Sequence, residues 1–288
     1  MDITDDLSGE VDPVKLKSDF LLTAFEALIG GQSGLNSAQR SIIDRVTRLT
    51  YFNYFHSQDK QMPTLAKEWF TLLKEQPEKE AQALVLDLEL YIEGSLAIFS
   101  HTTNIELNKR FIIYNTKELE LGSQLKTFGM MVVLEQVWNR VVRNRDRGIT
   151  TWIYIDEMQL MLNDPYCENY FFELWSRIRK WGAIPTGITQ NVETLLLSDK
   201  ARRMLSNTEF IIMLKQAKSD LDELSTLFRL STQQQKHLIH PPKGAGLIRA
   251  GHAIVPFSNT VDSTTRLYEL ITTDPEERIK RKQEQSDE

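Results

Sequence analysis

Thr151-Trp152-Ile153-Tyr154-Ile155-Asp156-Glu157 is a run of five β-forming residues that ends in two adjacent acids. A short run rich in β-branched and aromatic residues reads as a strand. Working outward, the same texture recurs. Arg110-Phe111-Ile112-Ile113-Tyr114 is a second such run, Ala183 to Thr189 a third, and Phe210-Ile211-Ile212-Met213-Leu214 a fourth. Helical spacing separates them. Leu134, Val137, Trp138 and Val141 fall on one face before Thr151, and Phe171, Leu174, Trp175 and Ile178 fall on one face after Glu157. Strands alternating with helices predict an α/β fold with a mostly parallel sheet and helices on both of its faces. Gly246–Ala250 and Ala253–Phe257 flank Gly251-His252 and predict a terminal hairpin. Beyond Thr273 nearly every residue is charged or polar, which predicts a fraying helix or disorder.

The first third has a different texture. Asp12-Pro13 reads as an N-cap with proline at the first helical position. Phe20, Leu21, Ala24 and Leu28 follow at helical spacing, and Gly30-Gly31 stops that helix. Asn36 or Ser37 can cap a second helix, with Ile42, Ile43, Val46, Leu49 and Thr50 inward. Pro63 opens a third helix and a fourth runs from about Pro77 to Tyr91. Together they predict a small helical bundle. Tyr51, Phe52, Tyr54 and Phe55 read as its core rather than as a base-stacking platform. Later caps are read at Ser219 to Asp222 and at Ser231 with Gln234.

A net charge of −6 argues against a protein that coats nucleic acid. No run approaches the roughly 18 apolar residues of a membrane span. The acidic opening, Met1-Asp2-Ile3-Thr4-Asp5-Asp6, is unlike a signal peptide. A single cysteine, Cys167, rules out an internal disulfide and fits a reducing compartment, so a cytoplasmic location is expected.

Adjacent acids at the carboxyl end of a strand suit phosphoryl transfer: the first can hold a Mg²⁺-bound water and the second can polarise an attacking water. The same two acids could instead cap the next helix. Gln190, at the end of Gly187-Ile188-Thr189-Gln190-Asn191, could hydrogen-bond the attacking water, while Asn191 caps the following helix. Arg177, Arg179 and Lys180 precede that strand, and Arg202 and Arg203 follow it. An arginine there can act on a neighbour's nucleotide or be solvated or paired. His237 and His240 lack companions at zinc-ligand spacing. A phosphate-binding loop, G-x-x-x-x-G-K-[ST], occurs nowhere in the 288 residues. Gly30-Gly31-Gln32-Ser33-Gly34 is followed by Leu35-Asn36 instead and reads as an interhelical turn.

Trp152 to Glu157, Leu174 to Gly182, Ile184 to Glu193 and Ala201 to Phe210 resemble the ATPases that power conjugative type IV secretion, the VirB/TraE class. The resemblance spans about Arg110 to Thr273 and is looser over the helical part. It implies a RecA-like P-loop NTPase sheet, similar also to the HerA/FtsK translocases, with Trp152–Glu157 as the Walker B strand. The sheet is expected to be incomplete, because the chain starts after the point where the Walker A loop belongs; family members show a segment like Met1-Asp2-Ile3 well after that loop. It also implies an all-helical insertion at the amino-terminal side, giving domains at 1–94, 95–273 and a charged tail at 274–288.

By the same resemblance, Asp156 holds Mg²⁺ through water, Glu157 is the catalytic base, Gln190 senses the γ-phosphate and contacts the nucleotide, and Arg202 or Arg203, or less readily Arg179, reaches across subunits. ATP and Mg²⁺ are the implied cofactors. The implied partners are further copies in a hexamer or a separate Walker A-containing piece, other secretion-channel subunits at the inner face of the membrane, and, indirectly, DNA. Two other functions stay open: a non-catalytic module that docks onto a secretion complex, and a HerA/FtsK-like DNA translocase fragment, for which Arg143 to Arg147 is the candidate contact. Without the missing strands, exposed apolar edges should make the chain sticky or oligomeric.

Overall fold

The computed structural model describes residues 12–31, 33–58, 61–103, 109–116, 123–272 and 274. The opening Met1–Asp6 stretch and the charged tail past Asp274 lie outside the described residues. No helix among the described residues is long and apolar enough to cross a membrane. The chain divides into two compact units, Met1–Ile188 and Thr189–Glu288.

The first unit begins with the helices that the sequence predicts. α1 (Pro13–Ile29) starts where Asp12 accepts a hydrogen bond from the Val14 N–H. α2 (Ser37–His56) starts with a reciprocal box, Asn36 bonding the Gln39 N–H and the Gln39 side chain accepting from the Asn36 N–H. These bonds satisfy N–H groups that a helix start leaves without partners. The third helix begins as a wide π turn, Leu65–Trp69, capped by Thr64, and runs into α3 (Phe70–Lys74). α4 spans Lys79–Ile92. Their apolar faces share one core built on Leu21, Phe25, Ile43, Trp69, Phe70, Leu84 and Leu88. Trp69 is fully buried, lies 4.9 Å from the Phe25 ring, and donates from Nε1 to Thr47 Oγ1 at 3.0 Å.

α5 (Ser123–Asp146) extends this core with Phe128 and Met131. Lys17 of α1 is buried and bonds Glu135 of α5, so a charge pair ties the first helix to the fifth. A buried charge is tolerable in such a pairing because its partner replaces the lost hydration. The other end of α5 meets the sheet, where Asn144 Nδ2 donates to Thr151 Oγ1 at 2.8 Å. Trp138 packs on Trp181 at 4.9 Å, with the Arg145 guanidinium over Trp181 at 4.4 Å.

β1 (Thr151–Ile155) pairs in parallel with β2 (Ala183–Gly187), in register from Thr151↔Ala183 to Ile155↔Gly187. α6 (Met158–Met161), α7 (Pro165–Arg177) and a 3₁₀ turn, Ile178–Trp181, make the connection. The helical crossover is what a parallel pair requires.

Two expectations fail in this unit. Arg110–Tyr114 is not a strand but an irregular segment, with Phe111 and Ile113 each 77% exposed. An apolar run becomes a strand only with a paired neighbour, and among the described residues β1 has no partner besides β2. In α2 only Tyr51 of the aromatic group is core. Phe52 is exposed because a helix turns it 100° away from Tyr51's face, and Phe55, only 40° from that face, is exposed in the last turn of α2.

The second unit holds α8 (Val192–Leu196), α9 (Asp199–Ser206), β3 (Phe210–Met213), α10 (Lys218–Phe228), α11 (Thr232–Ile239), β4 (Ala245–Ala250), β5 (Ala253–Ser258) and α12 (Arg266–Ile271). The predicted hairpin β4–β5 is present, turning at Gly251 with φ +58°. β3 was expected beside the parallel strands; it pairs antiparallel with β4 instead. An antiparallel sheet can leave one face uncovered, and here Met213 and Leu247 pack with Val192, Leu196, Leu221, Leu224 and Leu238 while Phe210 and Ile212 stay exposed. Gly246 permits close approach, since a Cβ there would lie 2.0 Å from the Met213 carbonyl oxygen. Ser231 forms its expected box with Gln234. Ser219 caps nothing: it lies inside α10, whose first residue is Lys218.

Candidate functional site

β1 delivers its acids through a sharp reversal. Ile155 is buried, Asp156 is exposed, and Glu157 takes φ 49°, ψ 43° before α6 begins. That left-handed conformation costs a residue with a side chain about 1–2 kcal/mol. Hydrogen bonds hold it. The Glu157 N–H donates to Asp156 Oδ1 at 3.1 Å, and Gln159 Nε2 donates to Glu157 Oε2 at 2.5 Å. Gln159 is only 6% exposed, so a buried amide fixes one carboxylate oxygen of a half-buried acid. The parallel pair closes around the turn: Ile188 N–H donates to the Ile155 carbonyl at 2.8 Å, and Met158 N–H donates to the Ile188 carbonyl at 2.9 Å. Gly187 makes room, since a Cβ there would sit 2.4 Å from Met158 Sδ.

A groove of about 2110 Å³ runs along β1, walled by α5 and by residues 109–116. Lys109, Arg110, Arg140 and Arg147 line it, and so do the acids Asp156, Glu157 and Asp164. Tyr114 lines it too. Burial pushes its phenol above the ordinary value, and the positive charges of Arg140 and Arg143 act the other way.

Asp156 suits a magnesium ion better than a site made of protein ligands. No group of three or more His, Cys, Asp or Glu that could hold a metal occurs among the described residues. Mg²⁺ keeps several waters and takes one or two carboxylates plus phosphate oxygens. A single exposed carboxylate at a strand end fits that habit.

Gln190, Arg202 and Arg203 belong to the second unit. Gln190 is exposed and precedes Asn191, which caps α8 by accepting from the Thr194 N–H at 2.8 Å. Arg202 is engaged within its own unit, its Nε donating to the Leu196 carbonyl at 2.7 Å and its Nη2 lying 3.7 Å from Glu223. The Arg203 side chain is exposed and makes no hydrogen bond or ion pair among the described residues, while its carbonyl accepts from the Asn207 N–H. In the first unit Arg177 pairs with Glu173 one turn earlier at 3.1 Å, and Arg179 is exposed. Asp156 and Glu157 are therefore brought together by β1, and the other residues stand on separate elements.

No family model and no curated protein matches the chain. Among solved structures, VirB4 of Thermoanaerobacter pseudethanolicus aligns over 90% of this chain and 71% of its own, with a TM-score of 0.68 and 22% identity. The fold is that of VirB4. The agreement extends over both the helical and the sheet-bearing parts, since the alignment leaves only a tenth of the chain uncovered.

Within this VirB4 fold the sequence did not single out Gln159 or Asp220. Gln159 follows Glu157 by two residues, a spacing that carries no helical or strand signal of its own. Asp220 is buried and accepts from the Glu193 N–H at 2.9 Å, holding the start of α8 just after Gln190. The capping partner comes from a different helix 27 residues away, so local spacing cannot show it.

Cys167, 1% exposed beside the groove, is chemically quiet. Burial pushes its thiol up to about 12, and the nearby Asp164 carboxylate adds to that. The thiol should resist a disulfide reagent such as 5,5′-dithiobis(2-nitrobenzoate) at pH 8 in the native protein and react fully in urea. Because its folded value lies above the ordinary 9, the proton favours the folded state, and stability should fall as pH rises from about 9 towards 12. Rapid native labelling at pH 8 would contradict this.

Proposed function

We propose that the chain is part of an ATP-hydrolysing motor of a type IV secretion system, serving conjugative transfer of DNA and protein and assembly of the pilus. The observation that carries this is the acid pair at the carboxyl end of parallel strand β1 in a VirB4 fold, with Glu157 held by buried Gln159. Residues 1–94 then form a helical insertion and residues 95–273 a RecA-like core. The motor works as a hexamer docked at the inner face of the membrane through other secretion subunits, touching DNA only indirectly.

Mg²⁺ bound with ATP would neutralise the β- and γ-phosphates. Asp156 would hold that ion through a bound water. Glu157 accepts the proton of the attacking water, and Gln159 keeps its carboxylate turned to receive it. Sensing of the γ-phosphate is assigned to Gln190. Arg203, exposed and unpaired among the described residues, is the better inter-subunit arginine, since Arg202 already serves α8 and Glu223. The lysine and the serine or threonine of a phosphate loop are not among these 288 residues. They come from a segment joined upstream or from a separate polypeptide.

ATP turnover with Mg²⁺ tests this, comparing the chain as given with a version that carries a phosphate loop upstream. The loop-bearing form should hydrolyse ATP, Asp156→Asn should abolish it, and the chain as given should be silent. If the loop-bearing form assembles and binds ATP but Asp156→Asn makes no difference, the acids are structural. The chain is then a docking module of a secretion complex.

A further inference from the structure

The two stretches that enter the parallel pair are both basic. Arg143 and Arg145 in the last turn of α5 and Arg147 just after it lead into β1, and Arg179 and Lys180 stand in the 3₁₀ turn that leads into β2. The fold brings them to one end of the sheet, opposite the end that carries Asp156. Thr151 N–H donates to the Gly182 carbonyl at 3.2 Å, Trp138 of α5 packs on Trp181, and the Arg145 guanidinium lies over the Trp181 ring. Between Arg143 and Thr151 and between Ile178 and Ala183, five cations meet one acid, Asp146. None of the five makes an ion pair among the described residues. Arg143 is half-buried and uses its Nε on the Asn139 carbonyl, whereas Arg145, Arg147, Arg179 and Lys180 are exposed. The dipole of α5 offsets only about half a unit of this charge.

A left-handed turn carries this charge outward. Gly148, at φ +65°, lets its own N–H bond the Arg145 carbonyl and the Ile149 N–H bond the Asn144 carbonyl, which closes α5. Ile149 is left 51% exposed next to exposed Arg147. The patch is therefore cationic with an apolar spot, in a chain whose net charge is −6. A complementary composition opens the same unit. Asp2, Asp5, Asp6 and Glu10 stand among residues 1–11 with no lysine, arginine or histidine, and Ile3 and Leu7 are interleaved with them. These eleven residues lie outside the described residues, but their anchor does not: α1 packs on α5, and Lys17 bonds Glu135. Arg145 is ten residues beyond Glu135, about 15 Å along the helix. The eleven residues before Asp12 span up to about 36 Å when extended, so the patch is within their reach.

We propose that this basic end of the sheet is a docking site for an acidic peptide and that residues 2–10 of the same chain are its occupant. Their four carboxylates match the patch's net charge of four, the five cations less Asp146. Exposed ion pairs are individually weak. Tethering supplies the rest, because a linked segment meets its site at an effective concentration of about millimolar. Ile3 and Leu7 cover Ile149. Once docked, the segment closes this face to nucleic-acid phosphates, the other polyanion that such arginines take. Docking requires no nucleotide and lies away from Asp156, so it stands or falls separately from ATP hydrolysis.

Paramagnetic broadening in NMR spectra of the full chain tests it. A nitroxide on Ser8→Cys sits in the segment itself, while Cys167 is buried and stays unlabelled. At low salt the Trp181 indole signal and the Ile149 and Gly182 amide signals should lose most of their intensity, and regain it when the label is reduced. The loss should vanish in Arg147→Glu/Arg179→Glu/Lys180→Glu, three exposed positions. It should vanish equally in Asp2→Asn/Asp5→Asn/Asp6→Asn/Glu10→Gln, which leaves the patch untouched. It should also vanish in about 0.5 M salt, where the screening length falls to about 4 Å. Full intensity at low salt with segment and patch unaltered would overturn the proposal. So would broadening that survives both sets of charge changes, since something other than charge would then hold the segment. If these signals respond only to added oligothymidylate, or only to vesicles containing phosphatidylserine, the patch belongs to an external polyanion and the proposal fails.

Discussion

Glu157→Gln, in a form that carries a phosphate loop, is expected to lower ATP turnover by about 10²–10⁴-fold while leaving ATP binding nearly unchanged. The amide keeps the shape of the side chain and its place in the turn, so the fold is not at stake. What it loses is the capacity to take a proton. The structure adds a graded companion. Gln159→Leu keeps the Glu157 carboxylate but removes the donor that holds Oε2. The leucine variant should lose less, about tenfold, because a base that samples wrong orientations still reaches the right one part of the time. Turnover under saturating ATP separates the two. Equal losses would mean that Gln159 is needed for the turn itself rather than for aim.

Trp69→Ala is expected to destabilise the helical body by about 3–5 kcal/mol, the range for removing a large buried aromatic side chain. Trp69 is fully buried in the helical core, packs against the tilted ring of Phe25 in α1, and bonds Thr47 in α2. Alanine leaves a cavity that a four-helix core cannot collapse to fill. Trp69→Phe should cost less, about 1–3 kcal/mol, since it retains most of the volume and gives up the Nε1–Thr47 bond. The shift of the urea midpoint, followed by far-ultraviolet circular dichroism at unchanged slope, measures both. Near-identical midpoints for the alanine variant and the parent would show that the core is not organised around this residue.

Local signals were legible where the physics is local. Asp12-Pro13 and Ser231 with Gln234 announce helix starts because the bonds that make them span only a few residues. Asn36 with Gln39 has the same reach, although the sequence left Asn36 and Ser37 as alternatives. The strand Thr151–Ile155 and the hairpin at Gly251 were equally plain. What the sequence missed depends on partners distant along the chain. The direction of β3 is set by β4, more than thirty residues later, and an apolar run carries no mark of its direction. Arg110–Tyr114 has the composition of a strand, but composition cannot supply a neighbour. The acid pair was legible as residues. Its geometry was not, because the left-handed turn at Glu157 and the grip of Gln159 follow from how α6 folds back over β2.

The most direct measurement is the position of the metal. Crystals of the loop-bearing assembly, grown with Mn²⁺ in place of Mg²⁺ and a non-hydrolysable ATP analogue, would locate the ion by its anomalous scattering. The expected result is a single Mn²⁺ between the β- and γ-phosphates, with one of its waters bonded to Asp156 and Glu157 facing the γ-phosphate. An ion and nucleotide bound away from the end of β1, with Asp156 and Glu157 turned to solvent, would contradict the account.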